Sequence, residues 1–181
     1  MIQGTATAAI PNATTTDAPH RFADLVREHQ AMVFSMACRC LRNRALAEEI
    51  AQEVFLQLYR KLPDLESPDH VLHWLRSVTA HRLIDYSRRE QRRPQLPLDD
   101  TAEPAAPASE HDPLLADTLR QLVAGLPENA RLVMILRYQE DLDPMDIAAT
   151  LDMPLATVKS HLSRSLAVLR DKLSRKKGVG L

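Results

Sequence analysis

The stretch that decides the fold of this chain is residues 143–164, which read DPMDIAATLDMPLATVKSHLSR. Asp143 can cap a short helix that begins at Pro144, because a proline in the first helical turn loses no needed N–H. A turn at residues 151–154 follows, and then a longer helix with a polar face begins. A short helix, a turn of about four residues and a second helix are typical of a helix-turn-helix.

The second helix of this motif is predicted to extend to about Arg175. Apolar residues recur along it at intervals of three and four, which indicates one buried stripe. The stripe consists of Val158, Leu162, Leu166, Leu169 and Leu173. Lys159, Ser160, Ser163 and Arg164 lie off this stripe and are therefore predicted to face outward.

Proline and glycine mark the helices that precede the motif. Asp112-Pro113 is predicted to open one helix, Gly125 to end it and Pro127 to open the next. Five of the 12 prolines lie at or between Pro94 and Pro113, mixed with alanines and acids. Such a composition cannot bury a core and indicates a linker.

Three more amphipathic helices are predicted before the linker. They begin near His20, at Ala45 and after Ser67-Pro68, where Ser67 suits an N-cap. Expected inward residues of the second and third of these helices are Leu46, Ile50, Val54, Leu58, Leu72, Leu75, Val78 and Leu83. We therefore predict an all-α chain of two helical domains, the second carrying the helix-turn-helix. The predicted segments are a disordered tail at 1–19, a first domain at 20–93, an acidic Pro/Ala-rich linker at 94–112, a second domain at 113–175 and a tail at 176–181.

Composition agrees with a helical protein of 181 residues. Only 4 Gly and 4% aromatic residues occur, which disfavours glycine-rich phosphate loops and the tight turns of an all-β fold. No apolar run approaches the roughly 20 residues of a membrane helix, and residues 1–19 have no base to start a signal peptide. We therefore expect a cytoplasmic protein without membrane insertion. Cys38 and Cys40 are expected to be reduced packing residues, because a spacing of two places them on different sides of a helix.

Charge is distributed unevenly, although the whole chain has a net charge of −1. Residues 76–93 contain six arginines and two acids, and residues 159–177 contain seven bases and one acid. Between these two segments, residues 94–118 contain six acids and no lysine or arginine. Because salt screens a charge beyond about 10 Å, each segment acts locally. Two basic segments at the ends of two helical units indicate nucleic-acid contacts.

Several short motifs, in this order and spacing, resemble bacterial sigma factors of the extracytoplasmic-function (ECF) group. They are Ala47–Leu56 (AEEIAQEVFL), His73–Arg76 (HWLR) with Ile84-Asp85 and Arg88-Arg89, Leu126-Pro127, Asp146–Ala148 (DIA) and Thr157–Leu162 (TVKSHL). The resemblance covers roughly residues 20–175. It implies a promoter-recognition subunit that binds core RNA polymerase and promoter DNA, with an anti-sigma protein as an inhibitory partner.

The resemblance also implies roles for individual residues. In that family, the second helix of the first domain docks on a coiled coil of the largest polymerase subunit. The matching residues are Glu48, Glu49, Gln52, Glu53 and Leu56. A solvated acidic face is the alternative interpretation of the same pattern.

The third helix of the first domain resembles the part that opens the minus-ten element and holds its non-template strand. The matching residues are Trp74, His81, Arg82, Asp85, Arg88 and Arg89. The loop at residues 63–69 is the candidate rim of a pocket for a flipped base. A lone tryptophan beside two leucines is also typical of a core residue, and that interpretation stays open for Trp74.

The helix-turn-helix resembles the reader of the minus-thirty-five element. Its candidate DNA residues are Thr157, Lys159, Ser160, His161, Ser163 and Arg164. Asp152 stands where a turn glycine is common in the family, and Asp is one of the residues that tolerate a left-handed conformation.

Two other function classes compete with this reading. His70 and His73 lie three apart on one predicted helix and could share a metal, but no HExxH, paired cysteine set or glycine loop supports an enzyme. We therefore predict no catalytic residue, metal or cofactor. The second alternative is a helix-turn-helix transcriptional regulator that acts without being a polymerase subunit. Binding to core polymerase would separate this alternative from a sigma factor.

Overall fold

The computed structural model describes residues 18–41, 43–92 and 113–178, and within those ranges the chain forms helices and turns without any strand. The all-α prediction is therefore confirmed for the described residues. Three helices and a short 3-10 turn precede the linker: α1 (Ala18–Leu41), α2 (Arg44–Lys61), the turn at Leu62–Asp64, and α3 (Pro68–Arg92). We call α1–α3 the first bundle. The predicted linker and the two terminal tails lie mainly outside the described residues.

The second bundle consists of four helices. They are α4 (Pro113–Ala124), α5 (Glu128–Tyr138), α6 (Pro144–Thr150) and α7 (Leu155–Gly178). The helix-turn-helix is formed by α6 and α7, joined by the four residues that the sequence predicts as a turn. No helix in the described ranges is apolar enough over sufficient length to cross a bilayer.

Side-chain caps start three of these helices. Asn43 accepts from the backbone N–H of Leu46 at 3.1 Å, and Ser67 accepts from that of His70 at 3.2 Å. Asp143 accepts from two backbone N–H groups of the first turn of α6, at 2.7 and 3.0 Å. Each cap satisfies donors that a helix leaves unpaired at its start. The predicted caps at Ser67 and Asp143 are confirmed.

The third helix buries a wider face than its predicted stripe. Leu72 is half-buried rather than inward, whereas its neighbour Val71 is buried. Thr79 and Ala80 are also fully buried, and the Thr79 hydroxyl donates to the backbone carbonyl of Leu75 at 2.7 Å. The reason is that α3 packs against α1 and α2 on one side and against α5 and α6 on another. Because the periodicity of apolar residues was used to locate a single buried face, it did not predict the second buried side of α3.

One apolar core runs through both bundles. First-bundle residues such as Met36, Leu58 and Leu75 belong to the same cluster as Leu136 and Ile147 of the second bundle. A smaller cluster lies under α4 and contains Leu122, Leu126, Met134 and Leu169. The two bundles are therefore packed against each other, an arrangement that the sequence did not predict.

The turn of the helix-turn-helix needs one left-handed residue. Asp152 has φ 49°, and Asp141, in the loop before α6, has φ 51°. In this region the Cβ atom crowds the following carbonyl oxygen, and aspartate tolerates it better than most residues. The expectation for Asp152 is confirmed, and this conformation lets α7 start directly after α6.

We predict that Asp152→Ala lowers the free energy of unfolding by about 1 kcal/mol, because alanine adopts the left-handed region less readily than aspartate. Asp152→Gly should leave stability unchanged or raise it, since glycine has no Cβ penalty there. Urea unfolding monitored by circular dichroism measures both changes. Asp141→Ala and Asp141→Gly test the same effect at the second left-handed residue. If the alanine variant were as stable as the glycine variant at both positions, this explanation would be wrong.

Both cysteines lie on α1 as free thiols, as predicted. Burial raises the pKa of the Cys40 thiol from its ordinary value of 9.0 to about 11, against a smaller lowering effect of Arg131. Burial also raises the pKa of the half-buried Cys38 thiol. A buried neutral thiol stabilises the folded state fully below pH 9, and this contribution is lost as the pH rises through 11.

We predict that iodoacetamide at pH 8 modifies Cys38 first in the native protein and reaches Cys40 only when the chain unfolds. The thiolate is the form that reacts with iodoacetamide. Cys40 is protected because little of it is thiolate at pH 8 and because its side chain is buried. Mass spectrometry of timed aliquots, with and without urea, measures the two rates. Equal rates at the two positions in the native protein would show that Cys40 is not buried.

Candidate nucleic-acid and partner interfaces

The outer face of α2 carries the acidic residues that the sequence singles out. Glu48, Glu49 and Gln52 are exposed, and Glu48 pairs with Arg44 one turn earlier at 3.1 Å. Leu56 lies on the same side with 60% of its surface exposed. An exposed pair of this kind contributes little to stability, so its carboxylate remains available to a partner. The face combines negative charge with an exposed apolar residue, as a docking surface requires.

Tyr59 extends this face and was missed by the sequence reasoning. It is 56% exposed, and its ring meets that of Phe22 of α1 edge to face, with 5.2 Å between the ring centroids. The signal was present in the sequence, because Leu56 and Tyr59 are three apart and therefore share a helix side. Together they form an exposed apolar patch at the end of α2. Exposed aromatic residues beside a charged surface are typical of protein interfaces.

A largely basic face follows the second half of α3. His81, Asp85, Arg88 and Arg89 are exposed, and their spacing of four, three and one places them on one side of the helix. The His81 ring nitrogen Nδ1 lies 2.8 Å from the backbone carbonyl oxygen of Ser77, so it donates there and fixes the ring. The remaining ring nitrogen can accept or donate to a ligand. The structure therefore brings four of the six predicted minus-ten residues onto one open surface.

Arg82 links this face to α2. Its guanidinium lies 3.7 Å from the carboxylate of Glu53. When the Gln57 amide is oriented with its oxygen toward Arg82, that oxygen accepts from Arg82 Nε at 2.8 Å. Arg82, Glu53 and Gln57 are all half-buried, because α3 packs against α2 at this point. The Glu53 side chain keeps 45% of its surface exposed, so its carboxylate still reaches solvent. A groove of about 250 Å³ opens here between Glu49 and Glu53 of α2 and Arg82, Asp85 and Arg89 of α3.

Trp74 is not part of the open surface. It is half-buried and packs against the apolar core. This placement favours the interpretation of Trp74 as a core residue over a stacking platform. It therefore separates Trp74 from the other five predicted minus-ten residues.

The helix-turn-helix presents one polar side of α7. Thr157, Lys159, Ser163 and Arg164 are exposed, whereas Ser160 and His161 are half-buried. The opposite side is anchored by the buried residues Val158, Ser165 and Leu169. Leu162, Leu166 and Leu173 are half-buried members of the predicted stripe. Four of the six predicted minus-thirty-five residues are therefore exposed, and they lie on about the first three turns of α7.

The histidine pair considered for a metal does not belong to a larger ligand cluster. His70 and His73 are both exposed on the first turns of α3. Across the described ranges, no group of three or more His, Cys, Asp or Glu side chains is arranged to hold a metal ion. The charged faces of α2, α3 and α7 are therefore the candidate functional surfaces of the described residues.

Comparison with known families matches both bundles separately. The family model described as Sigma-70 region 2 matches residues 25–93, and the model described as Sigma-70, region 4 matches residues 116–169. Two separate models in this order cover the parts of the chain that carry the α2, α3 and α7 surfaces.

Curated relatives agree with the family models. The ECF RNA polymerase sigma factor SigK of Mycolicibacterium vanbaalenii is 31% identical, over 82% of this chain and 80% of the relative. The ECF RNA polymerase sigma factor SigE of Mycolicibacterium smegmatis is 33% identical over 84% of this chain. The chain spans 61% of the length of SigE and 40% of that of RfaY, a probable RNA polymerase sigma factor of Xanthomonas campestris.

A solved structure shows the same fold. The sigma factor RpoE from Bartonella quintana, solved in complex with the anti-sigma factor NepR, superposes with a TM-score of 0.71 at 18% identity. The superposition covers 85% of this chain and 97% of RpoE. Sequence models, relatives and fold agree, and the chain belongs to the extracytoplasmic-function family of RNA polymerase sigma factors.

Proposed function

We propose that this protein binds core RNA polymerase and directs it to promoters as an initiation factor. The observation that carries the proposal is the separation of three surfaces on one helical chain. These are an acidic face with an apolar patch on α2, a largely basic face on α3 and a basic polar face on α7. An initiation factor needs one surface that binds polymerase, one that holds a melted DNA strand and one that binds duplex DNA. The three faces differ in charge and polarity in a way that suits these three contacts.

The polymerase contact is assigned to Glu48, Glu49, Gln52, Glu53 and Leu56, with Tyr59 added from the structure. Charge complementarity orients an approaching partner and raises the association rate, while desolvation of a small apolar patch slows its release. The exposed Leu56 and Tyr59 supply that patch beside the carboxylates. Glu53 contributes through its pairing with Arg82, since its side chain is half-buried.

The minus-ten contact is assigned to His81, Arg82, Asp85, Arg88 and Arg89 on α3. Arginines neutralise phosphates, and unstacking a base costs a few kcal/mol that its binding site must offset. The exposed imidazole and carboxylate supply polar groups for base edges between the cations. Residues 63–69 span the end of the 3-10 turn and the first two residues of α3, and this segment stays the candidate rim for a flipped base.

The minus-thirty-five contact is assigned to the exposed side of α7. Lys159 and Arg164 can each donate to a guanine edge in the major groove, while Thr157 and Ser163 can reach phosphates or bases. Ser160 and His161 are both half-buried. At about 100° per residue, Ser160 lies nearly opposite the buried Val158 and so in the middle of this side, whereas His161 lies at its edge. A helix of this length, anchored by Val158 and Leu169, holds these side chains in a fixed relative position.

The chemistry of RNA synthesis then belongs to the polymerase. Sigma factors are generally recognition subunits without enzymatic activity, and we propose no catalytic residue, metal or cofactor for this chain. The site of action follows from the partner, because core polymerase and promoter DNA are in the cytoplasm of a bacterium. An anti-sigma protein is a further proposed partner, in keeping with the RpoE–NepR complex.

In vitro transcription on a promoter library tests the function as a whole. Purified core polymerase should start RNA at a defined set of promoters when this chain is added. The chain alone should bind promoter DNA weakly. Tight, sequence-specific DNA binding by the chain alone, without any association with polymerase, would favour the regulator that acts without polymerase.

We predict that Glu49→Arg weakens binding to core polymerase by about tenfold or more, because it reverses a charge at the centre of the acidic face. Leu56→Ala should weaken binding through loss of apolar contact, with little loss of stability since Leu56 is 60% exposed. Biolayer interferometry with immobilised polymerase measures both. Asp24→Arg, the same charge change at an exposed position on α1, is the control. Equal weakening by all three variants would contradict the assignment.

We predict that Arg164→Ala leaves polymerase binding unchanged and lowers promoter selectivity by about 1 to 3 kcal/mol, the value of one good bidentate base contact. Arg175→Ala is the matched control, because Arg175 is exposed further along α7 and pairs with Asp171 at 2.9 Å. It should weaken DNA binding evenly across sequences or leave it unchanged. Competition between promoters of different minus-thirty-five sequence measures selectivity. A uniform loss in Arg164→Ala would show that Arg164 contacts phosphate.

A further inference from the structure

His81 and Asp85 lie one helical turn apart on the exposed side of the second half of α3. Side chains at a spacing of four share one side of a helix, with about 5 to 6 Å between their Cβ atoms. Arg88 and Arg89 follow on the next turn and are also exposed. Which hydrogen-bonding groups this surface offers to a ligand depends on which nitrogen of the His81 ring carries the proton.

Two acceptors place that proton on Nδ1. The Nδ1 atom of His81 lies 2.8 Å from the backbone carbonyl oxygen of Ser77, which can only accept a hydrogen bond. It also lies 3.3 Å from the hydroxyl oxygen of Ser77. That hydroxyl has a single hydrogen, which it donates to the backbone carbonyl of Thr150 at 3.2 Å, so it too can only accept from His81. Nδ1 is therefore the donor in both contacts.

The outer nitrogen of the ring is then an acceptor. A neutral imidazole has one N–H, so a proton on Nδ1 leaves Nε2 of His81 with a lone pair. The carboxylate oxygens of Asp85 are acceptors only. In the described part of the chain no cation pairs with Asp85, so both of its oxygens are available to a ligand. We call Nε2 of His81 and the Asp85 carboxylate the acceptor pair.

The neighbouring cations do not interrupt the acceptor pair. Arg82 lies within the same turn, but its guanidinium is directed to Glu53 of α2, 3.7 Å away. Arg88 and Arg89 lie beyond Asp85, where they can neutralise phosphates on the same strand. A nucleotide held by these arginines therefore meets two adjacent acceptors with its base.

The four bases divide into two classes in front of two acceptors. Adenine carries an amino group at N6 and cytosine one at N4, whereas guanine has a carbonyl oxygen at O6 and thymine one at O4. An amino group has two N–H bonds and can donate to both members of the acceptor pair. A carbonyl oxygen in the same place forms no hydrogen bond and leaves desolvated acceptors without a partner, which is costly.

We propose that the acceptor pair selects an amino base, adenine or cytosine, over a keto base, guanine or thymine, at one position of the minus-ten single strand. His81 is thereby a specificity-determining residue, and the position of its proton sets the class of base that it accepts. The inference rests on the proposed function, because it names the base class that the proposed minus-ten surface takes.

Competition binding of promoter DNA to the holoenzyme tests the base class. Core polymerase with the full-length chain is offered forked promoters in which each unpaired non-template minus-ten position carries each of the four bases. At one position, adenine and cytosine should bind about tenfold more tightly than guanine and thymine. His81→Arg should reverse the preference there, because a guanidinium donates to guanine O6. His81→Asn should reduce it to about twofold or less, since an amide both donates and accepts.

Two further variants separate base selection from a structural role. Asp85→Asn removes the second acceptor and should weaken the preference at the same position. His73→Arg makes the matched change at an exposed position about two turns earlier on α3 and should keep the wild-type preference. Preferences at the other minus-ten positions should stay unchanged in every variant. A wild type without an amino-over-keto position, a preference that survives His81→Arg, or an even loss of binding to all bases would overturn the proposal.

Nuclear magnetic resonance of the free chain measures the proton position without polymerase. Long-range ¹H–¹⁵N correlation spectra of the histidine-labelled chain distinguish the two ring nitrogens, and the spectrum of His81→Asn identifies the signals of His81. Both experiments are done at pH 8, since a protonated ring would carry N–H on both nitrogens. We expect the proton on Nδ1, and a proton on Nε2 would contradict the acceptor pair.

Failure of the proposed function would look different from failure of this inference. If the wild-type chain directed no promoter-specific initiation by core polymerase, the proposed function would fail, and base selection with it. If initiation were promoter-specific and the minus-ten preferences of wild type and His81→Arg were the same, only the inference on the acceptor pair would fail.

Discussion

The arrangement of this protein depends on the burial of α5 on more than one side. Leu132, Val133, Met134, Ile135 and Leu136 are consecutive and all buried. A helix that meets one neighbour buries a single stripe, so five buried residues in a row require neighbours around most of its circumference. Helix α7 covers one side, and α1 and α3 cover another. The hydrophobic effect thus binds the helix-turn-helix to the first bundle through a helix that belongs to the second.

The outward surfaces divide the proposed work by chemistry. Carboxylates and an exposed leucine and tyrosine lie on α2, whereas cations dominate the exposed side of α7 and the second half of α3. Screening keeps each surface local, so a net charge near zero is compatible with strong local attraction to both an acidic and a basic partner. Arg82 and Glu53 lie where the acidic face of α2 and the largely basic face of α3 meet within one groove.

The contact between the bundles combines apolar burial with a buried ion pair, in which Nε of Arg76 on α3 lies 3.1 Å from a carboxylate oxygen of Glu140, just after α5. Apolar burial holds the two together without strong directional preference, and the Arg76–Glu140 pair selects one orientation. A buried ion pair adds little net stability, but removing one partner is costly because the other charge is left buried and unpaired. The contact is therefore sensitive to charge reversal of either residue. Interfaces between domains of one chain are commonly of this mixed apolar and polar kind.

The sequence by itself determined the helices, their caps, the left-handed Asp152 and the exposure of most candidate DNA-contact residues, because these depend on local propensity and on period 3.6. It could not decide the position of Trp74, the burial of Glu53 and Gln57 or the wider buried face of α3. Only the tertiary structure paired Arg82 with Glu53 and Arg76 with Glu140, since 29 and 64 residues separate these partners. Contacts so distant along the chain depend on how whole helices cross, and no local pattern of side chains encodes that crossing.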